Sequence, residues 1–244
     1  STFVKQLREG SLPLTWTEVQ LISDDPAKGL QKSKESDSVL AHLAPLMRQT
    51  QHELLIISPY FVPTKQGSAL FRNLAEEGKN VAVLTNSLAA TDVVPVHAGY
   101  AKYRKPLLLS GISLYELKPQ ATVVTKNHGG ILKSSDASLH AKTLIIDNKT
   151  LFVGSFNMDP RSAALNTEMG FVFDNEQMAS YLADNMKQNQ IQYSYKVTKT
   201  AKGKLHWETI EGNKKVEFDD EPHSSIWARI GVWICSLLPI EWLL

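Results

Sequence analysis

Short, continuous apolar runs recur along the chain, and segments with helical spacing separate them. The runs ELLIIS (53–58), NVAVLTN (80–86) and KTLIID (142–147) have the length and the branched side chains of strands that are buried on both faces. Between such runs, apolar residues recur every three or four positions, as they do over 39–47. Because strands of this kind must be covered by helices, the sequence predicts an α/β fold built on a mixed sheet.

The predicted elements follow this alternation along most of the chain. Strands are predicted at 18–23, 53–58, 80–86, 112–117, 142–147, 150–155 and 168–174, and helices at 37–47 with Asp37 as the cap, 68–77, 98–109 and 175–189. The segment from Pro119 to Ser138 has no clear period and is expected to be a mobile loop.

The pattern divides the chain into three parts. Residues 1–36 are expected to be a linker with a leading strand from a preceding domain, and residues 37–195 are expected to form the catalytic half-domain. In residues 196–244, alternating segments flank Gly212-Asn213 as in a β-hairpin, and a helix with Ser224 or Ser225 as its cap extends to Pro239.

The terminal helix is amphipathic, and two interpretations of it stay open. Its apolar stripe consists of Ile226, Trp227, Ile230, Trp233, Ile234, Leu237 and Leu238. The stripe is typical either of a core helix packed on the sheet or of an anchor lying in a membrane interface.

Composition narrows the class of protein. The chain has 244 residues, 43% of them apolar, so it can bury a substantial core. Its 26 Lys and Arg residues nearly balance 25 Asp and Glu residues, and a net charge of +1 argues against a nucleic-acid partner. The single cysteine, Cys235, excludes an internal disulfide and a multi-cysteine zinc site. The opening has neither Met nor a signal-peptide pattern, so we expect a piece of a longer chain.

Polar side chains concentrate on two neighbouring predicted strands. His140 and Lys142 are two residues apart, as are Ser155 and Asn157, so each pair is expected to share a strand face. Gly154 is expected to let a ligand approach the backbone. These groups suit a phosphate ester, and His140 is the member able to attack phosphorus or transfer a proton near neutral pH.

The same residues carry a resemblance to a known family. HAKTLIID (140–147) fits the pattern H-x-K-x4-D of the phospholipase D superfamily, and GSFNMDPRS (154–162) followed by NTEMG fits its extension. ISPYFVP (57–63), the stretch 97–119 and the terminal LPIEWLL are similar to the bacterial cardiolipin synthase branch. The resemblance covers nearly the whole chain, as the carboxy-terminal half of such an enzyme.

The resemblance implies roles for particular residues. His140, Lys142, Asp147 and Glu168 would form the catalytic set, with Glu168 orienting the second ring nitrogen of His140 and Asp147 acting structurally. Lys142, Ser155 and Asn157 would bind the phosphoryl oxygens, and Tyr60 and His97 are candidates for the substrate pocket. The implied fold is an HKD-type α/β domain with an appended hairpin and C-terminal helix.

The implied reaction transfers a phosphatidyl group to phosphatidylglycerol and forms cardiolipin through a phosphohistidine, without a metal or other cofactor. The donor would be phosphatidylglycerol or phosphatidylethanolamine, and the protein would lie peripherally on the bacterial inner membrane. Such chemistry needs two histidines, yet none of the other six His residues is followed two positions later by Lys. We therefore expect the missing N-terminal half or a second copy as partner, and an inactive isolated chain.

Two alternatives remain at this stage. One is a homodimeric, nuclease-like phosphodiesterase, against which the nearly neutral charge counts. The other is a non-catalytic domain that binds anionic lipid headgroups.

Overall fold

The structure, a computed structural model, describes residues 2–11, 14–119 and 139–238. The loop predicted at 119–138 lies outside the described residues except for its first position, and so does the end of the chain after Leu238.

Among the described residues, ten strands and eight α-helices alternate along the chain. The strands are β1 (Val19–Ser23), β2 (Glu53–Ile57), β3 (Asn80–Asn86), β4 (Ser113–Leu117), β5 (Thr143–Ile146), β6 (Thr150–Gly154), β7 (Met169–Asp174), β8 (Ser194–Lys199), β9 (Leu205–Glu211) and β10 (Lys214–Phe218). The helices are α1 (Thr2–Arg8), α2 (Val39–Arg48), α3 (Thr64–Glu76), α4 (Val94–Ala101), α5 (Arg104–Leu109), α6 (Pro160–Ala164), α7 (Glu176–Tyr193) and α8 (Ile226–Leu237).

The strands form one mixed sheet in the order β1-β7-β6-β5-β2-β3-β4-β8-β9-β10. The pairs β2–β3 and β3–β4 are parallel, and the other neighbours are antiparallel. The expected α/β architecture with a mixed sheet flanked by helices is confirmed.

Strand β2 shows why the sheet lies between two helical layers. All five of its residues are buried, and alternate side chains point to opposite faces. Leu54 and Ile56 join a core with α2 to α5, whereas Leu55 and Ile57 join a second core with α7. A strand this apolar is stable only when both faces are covered.

Several predicted helix boundaries are wrong, and each has a local cause. Ser38, not Asp37, caps α2, because its hydroxyl accepts from the N–H of Ala41 at 3.1 Å. The helix predicted at 98–109 is two helices, α4 and α5. Pro106 has no N–H to donate to the carbonyl of Lys102, so one continuous helix would lose that bond.

The leading segment is not simply a linker. Strand β1 pairs over its whole length with residues 169–173 of β7 and is the outermost strand on that side of the sheet. The polar run that follows it contains a 3-10 turn at Pro26–Leu30, in which Lys28 is buried beside Asp24. This ion pair attaches the run, which was expected to belong to a linker, to the protein interior.

The C-terminal part extends the same sheet. Strand β8 pairs with both β4 and β9, so the expected division between 195 and 196 falls inside β8. The predicted hairpin is confirmed as β9–β10. Helix α8 is capped by Ser225, whose hydroxyl accepts from the N–H of Ala228 at 3.1 Å. None of its residues is buried, so it is not a core helix.

Candidate active site

The candidate residues converge at the edge of the sheet where β2 ends. Because β5 runs antiparallel to β2, Thr143 at its start pairs with Ile57 at the end of β2. His140 and Lys142 lie just before β5, not on it as predicted, and Ser155 and Asn157 lie just after β6. The start of β5 and the end of β6 thus bring these four side chains to the edge where β2 ends.

His140 is exposed, and its backbone position is set from β3. The side chain of Asn86 accepts from the N–H of Leu139 at 2.9 Å and approaches the Leu139 carbonyl at 3.4 Å through its Nδ2. The imidazole forms no hydrogen bond to any described residue. Sequence reasoning missed Asn86, because a strand-terminal Asn carries no motif that connects it to a residue 53 positions away.

Lys142 lies half-buried between the candidate histidine and two carboxylates. Its carbonyl accepts from the N–H of Gly154 at 3.2 Å, and its Nζ donates to the His140 carbonyl at 3.0 Å. Burial lowers the pKa of Lys142, while the negative charges of Glu168 and Asp159 act in the opposite direction. This partly desolvated ammonium is a suitable electrostatic partner for a phosphoryl oxygen.

The carboxylate of Glu168 is held by hydroxyl groups. Ser155 Oγ donates to one oxygen at 2.5 Å, and Ser162 Oγ donates to the other at 2.9 Å. Asn166 Nδ2 lies 3.4 Å from the second oxygen. Among the described residues, these donors bind the Glu168 carboxylate and no hydrogen bond joins it to the His140 ring, so the orienting role that the resemblance implies for Glu168 stays a prediction.

Asn157 supplies an amide that has no hydrogen-bond partner among the described residues. The residue is only 8% exposed, and its Oδ1 is buried. Its backbone N–H donates to Ser162 Oγ at 3.3 Å. The backbone of Asn157 is therefore fixed, while its side-chain amide forms no hydrogen bond to a described residue. Burial of an unpaired amide is costly, which favours a polar ligand at this position.

A buried ion pair behind the site was not predicted from the sequence. Lys28 Nζ donates to Asp24 Oδ2 at 2.7 Å and to the Ser162 carbonyl at 2.8 Å. Asp24 in turn accepts from the N–H of Glu168 at 2.8 Å, and its own N–H donates to the Glu168 carbonyl at the same distance. Asp24 and Lys28 thus fix the backbone on which Ser162 and Glu168 lie.

Tyr60 lies at the rim of this edge. Its hydroxyl donates to Asp92 Oδ1 at 2.8 Å. Burial, together with Asp92 and the more distant Asp159, raises the pKa of Tyr60 to about 12, so it stays a neutral phenol.

His97 does not present its ring to a substrate in this structure. The residue is 3% exposed, and its Nε2 lies 2.6 Å from Arg104 Nη2 and 3.3 Å from Glu221 Oε1. Since the guanidinium can only donate, the shorter contact requires Nε2 to act as an acceptor.

Asp147 lies at the opposite edge of the sheet, beyond the end of β5. Its carboxylate accepts from the N–H groups of Gln51, His52 and Glu53 at 2.7 to 2.9 Å. It therefore ties the β5–β6 turn to the start of β2 and does not contact the residues around His140.

Gly154 is required by packing, not by a ligand. A Cβ there would lie 2.4 Å from the Met169 carbonyl oxygen and 2.7 Å from the ring of Phe152. The same ring also packs over Gly170, the cross-strand partner of Gly154. A Cβ at Gly170 would lie 2.2 Å from Phe152 Cε2. The expectation that Gly154 makes room for a ligand is wrong, because the Phe152 side chain already occupies that space.

One group of potential metal ligands lies elsewhere in the described part of the chain. His206, Glu208 and Glu217 place ligand atoms within 4.8 Å of one another on the hairpin. Lys215 Nζ already lies 3.2 Å from Glu208 and 2.6 Å from Glu217. This ammonium supplies the positive charge that a metal ion would supply, so the group does not fit a metal ion.

Comparison with known proteins places the chain in a family. Residues 43–189 match the family described as cardiolipin synthase, PLD-like domain. The chain belongs to this family. The match contains all of the residues gathered at the sheet edge except Asp24 and Lys28.

The chain is similar to a curated relative in sequence and to two solved structures in fold. Cardiolipin synthase C of Escherichia coli (strain K12) is 45% identical over 245 residues, which are 100% of this chain and 52% of that protein. The phospholipase D family member Nuc from Salmonella typhimurium superposes with a TM-score of 0.54 at 16% identity, over 75% of this chain and 99% of that one. Phosphatidylserine synthase from Haemophilus influenzae Rd KW20 superposes with a TM-score of 0.51 at 19% identity, over 76% of this chain and 40% of that one.

The two solved structures show the shared fold alone, because their identities are low. The chain spans about half the length of the curated relative.

Proposed function

We propose that this chain carries one half of the active site of a phosphatidyltransferase that forms cardiolipin on the bacterial inner membrane. The observation that carries the proposal is the convergence of His140, Lys142 and Asn157 at one sheet edge, in a chain 45% identical to half of a named cardiolipin synthase. The other half of the site would come from a segment with a second H-x-K motif.

In the proposed reaction, one histidine nitrogen attacks the phosphorus of the donor lipid. A P–N bond forms, the P–O bond to the headgroup alcohol breaks, and the second histidine gives that oxygen a proton. The second histidine then takes the proton from the glycerol hydroxyl of phosphatidylglycerol, whose oxygen displaces the first histidine. Proton transfer of this kind contributes roughly 10²–10⁴ in rate.

The described contacts support roles for the neighbouring residues. Lys142 would balance charge on the phosphoryl oxygens, and the Nδ2 of Asn157 would donate to them. Ser155 would contribute a hydroxyl whose position is set by Glu168. His140 is exposed and able to reach phosphorus as nucleophile or to act as the acid.

A hybrid enzyme tests the proposal. This chain would replace the matching 245 residues of the Escherichia coli relative, and cardiolipin formation from labelled phosphatidylglycerol would be measured, with and without phosphatidylethanolamine. We expect the hybrid to form cardiolipin and His140→Ala to reduce the rate by about 10³-fold or more. The chain alone, shown to be monomeric by light scattering, is expected to have no detectable activity.

His42→Ala is the matched control, because His42 is exposed on α2 and its ring forms no hydrogen bond or ion pair with any described residue. Its hybrid should keep the parent rate. Full activity in His140→Ala would refute the catalytic assignment, and turnover by the monomeric chain would refute the need for a second half.

A homodimeric phosphodiesterase is the second candidate. It is favoured by the single H-x-K motif and by a fold that covers 99% of a short phospholipase D family chain. A stable dimer that hydrolyses a simple phosphodiester, with loss of hydrolysis in His140→Ala, would favour it over the transferase.

A further inference from the structure

Helix α8 packs on the protein through small residues and exposes its large ones. Its inner side contains Gly231, where a Cβ would lie 3.6 Å from Val94 Cγ1 of α4, and the half-buried Ala228 and Cys235. On the outer side, Trp227 is 77% exposed and Trp233 is 62% exposed. The other exposed apolar residues are Ile226, Ile230, Ile234, Leu237 and Leu238. A surface helix of a globular protein normally has the opposite orientation.

The exposed face of α8 carries no charge. The one charged residue of the helix, Arg229, is half-buried, and its guanidinium is bound to Asp220 at 3.2 Å, to Ser224 Oγ at 2.9 Å and to the Glu221 carbonyl at 3.0 Å. The outer side is therefore a continuous apolar surface, of the kind that marks an interaction site.

Unpaired lysines lie next to this face. Trp233 lines a shallow surface depression together with Lys102, Lys105 and Lys204. Their ammonium groups form no ion pair with any residue that the structure describes. Among the acidic side chains of the same depression, Asp220 pairs with Arg229 and Glu221 pairs with Arg104. Asp219 lies 3.0 Å from His206 Nδ1, so at most one acidic charge of the depression faces the three lysines. The charge left uncompensated at this surface is positive.

We propose that α8 docks on the surface of an anionic phospholipid bilayer. Its apolar face would enter the boundary between headgroups and acyl chains, where tryptophan is favoured, and the three lysines would meet the phosphates. Twelve residues span about 18 Å, less than the hydrocarbon thickness, so the helix would lie in the interface. Within the described ranges, no helix has the length and apolar content needed to cross a membrane. The inference does not depend on the chemistry of His140.

Vesicle flotation of the 244-residue chain tests the docking surface. The parent is expected to float with vesicles of phosphatidylglycerol and phosphatidylethanolamine, and less with phosphatidylcholine vesicles. The partition coefficient of the variant Trp227→Ala/Trp233→Ala into the phosphatidylglycerol-containing vesicles should be lower by about tenfold or more, because the variant loses the two exposed tryptophan side chains. Its melting temperature should not change, since neither side chain is buried.

The matched control is Trp16→Ala/Leu14→Ala, in which the side chains removed are 90% and 66% exposed beside the edge strand β1. This variant and His140→Ala should float like the parent. Equal binding by the α8 variant and the parent, or an equal loss in the Trp16 variant, would refute the proposal.

A charge reversal tests the lysines separately. Lys102→Glu/Lys105→Glu should weaken flotation with phosphatidylglycerol vesicles, whereas Lys32→Glu/Lys34→Glu, an equal change of net charge at exposed lysines, should not. Light scattering should show that the α8 variant does not change the oligomeric state. A dimer that dissociates in this variant, without flotation of the parent, would assign the face to a second copy and overturn the proposal.

Discussion

At the scale of the residue, Asp24 connects three segments behind the candidate site. Its Oδ1 accepts from the N–H of Val39 at 2.7 Å, and its Oδ2 accepts from Lys28 and from the N–H of Glu168. The side chain of Asp24 is 0% exposed and that of Lys28 is 6% exposed. Among the described residues, each charge is compensated by the other, with backbone N–H groups donating to Asp24 and a backbone carbonyl accepting from Lys28, so the pair must be kept or lost together.

Lys28→Met should lower the free energy of unfolding by about 3 kcal/mol, because it leaves a buried carboxylate without its cation. Urea denaturation measures this change. Lys5→Met is the matched control, since Lys5 also pairs with an acid four residues away, Glu9, but both side chains are exposed. That change should cost less than about 0.5 kcal/mol. Equal costs for the two variants would contradict the role of the buried pair.

At the scale of the element, Asp147 fixes the turn between β5 and β6 to the start of β2. The turn contains two residues with positive φ, Asp147 at 53° and Asn148 at 51°. Burial disfavours the charged carboxylate, but the hydrogen bonds from Gln51, Glu53 and His52 outweigh it and hold the pKa of Asp147 below its ordinary value.

Asp147→Asn should lower the free energy of unfolding by about 1–3 kcal/mol near neutral pH. The oxygen of the new amide accepts hydrogen bonds more weakly than a carboxylate oxygen, and the NH₂ group of the amide cannot accept at all. A lowered carboxyl pKa contributes stability above the ordinary value of about 4 and loses it as the pH falls through the folded-state value. The difference in the free energy of unfolding between parent and variant, measured by urea denaturation, should therefore be smaller at about pH 3 than near neutral pH.

Asp37→Asn serves as its control, because Asp37 is exposed and its carboxylate accepts only from Ser36. A difference for Asp147→Asn that stays constant over this pH range would contradict the linkage.

At the scale of the whole molecule, one buried guanidinium joins the sheet to the segment that precedes α8. Arg104 on α5 is 2% exposed and donates to Glu116 on β4 at 2.8 Å and to Glu221 at 2.5 Å. Trp207 on β9 also donates to Glu116, at 2.9 Å. Burial disfavours the charged carboxylate of Glu221, but attraction to Arg104 and the hydrogen bonds from its guanidinium outweigh this effect and lower the pKa of Glu221. The orientation of α8 therefore depends on this network.

Glu221→Gln should lower the melting temperature by about 5 °C, because Arg104 loses one of its two carboxylates. Amide exchange should become faster over 223–237 and stay unchanged in β2 and β3. Glu211→Gln is the control, since Glu211 is 49% exposed and lies 3.8 Å from Lys118. Uniformly faster exchange across the sheet would contradict a local role for Glu221.

The strands and the motif residues were predictable because their signals are local. The apolar runs of β2 and β3 identify buried strands, and the two-residue spacing of His140 and Lys142 indicated a common direction. The break between α4 and α5 is explained by Pro106, which the prediction of one helix over 98–109 did not take into account. Gly154 was recognised as special, but its reason is the ring of Phe152 on the same strand.

The sequence by itself determined the α/β class, the family resemblance and the candidate residues, because periodicity and short motifs depend on neighbours along the chain. Tertiary structure decided that Asp24 and Lys28 support the Glu168 backbone, and that Glu168 binds Ser155 and Ser162. It also decided which side of α8 faces outward. These contacts join residues that are distant in the chain, and an amphipathic pattern shows that a helix has two faces without showing which of them the protein covers.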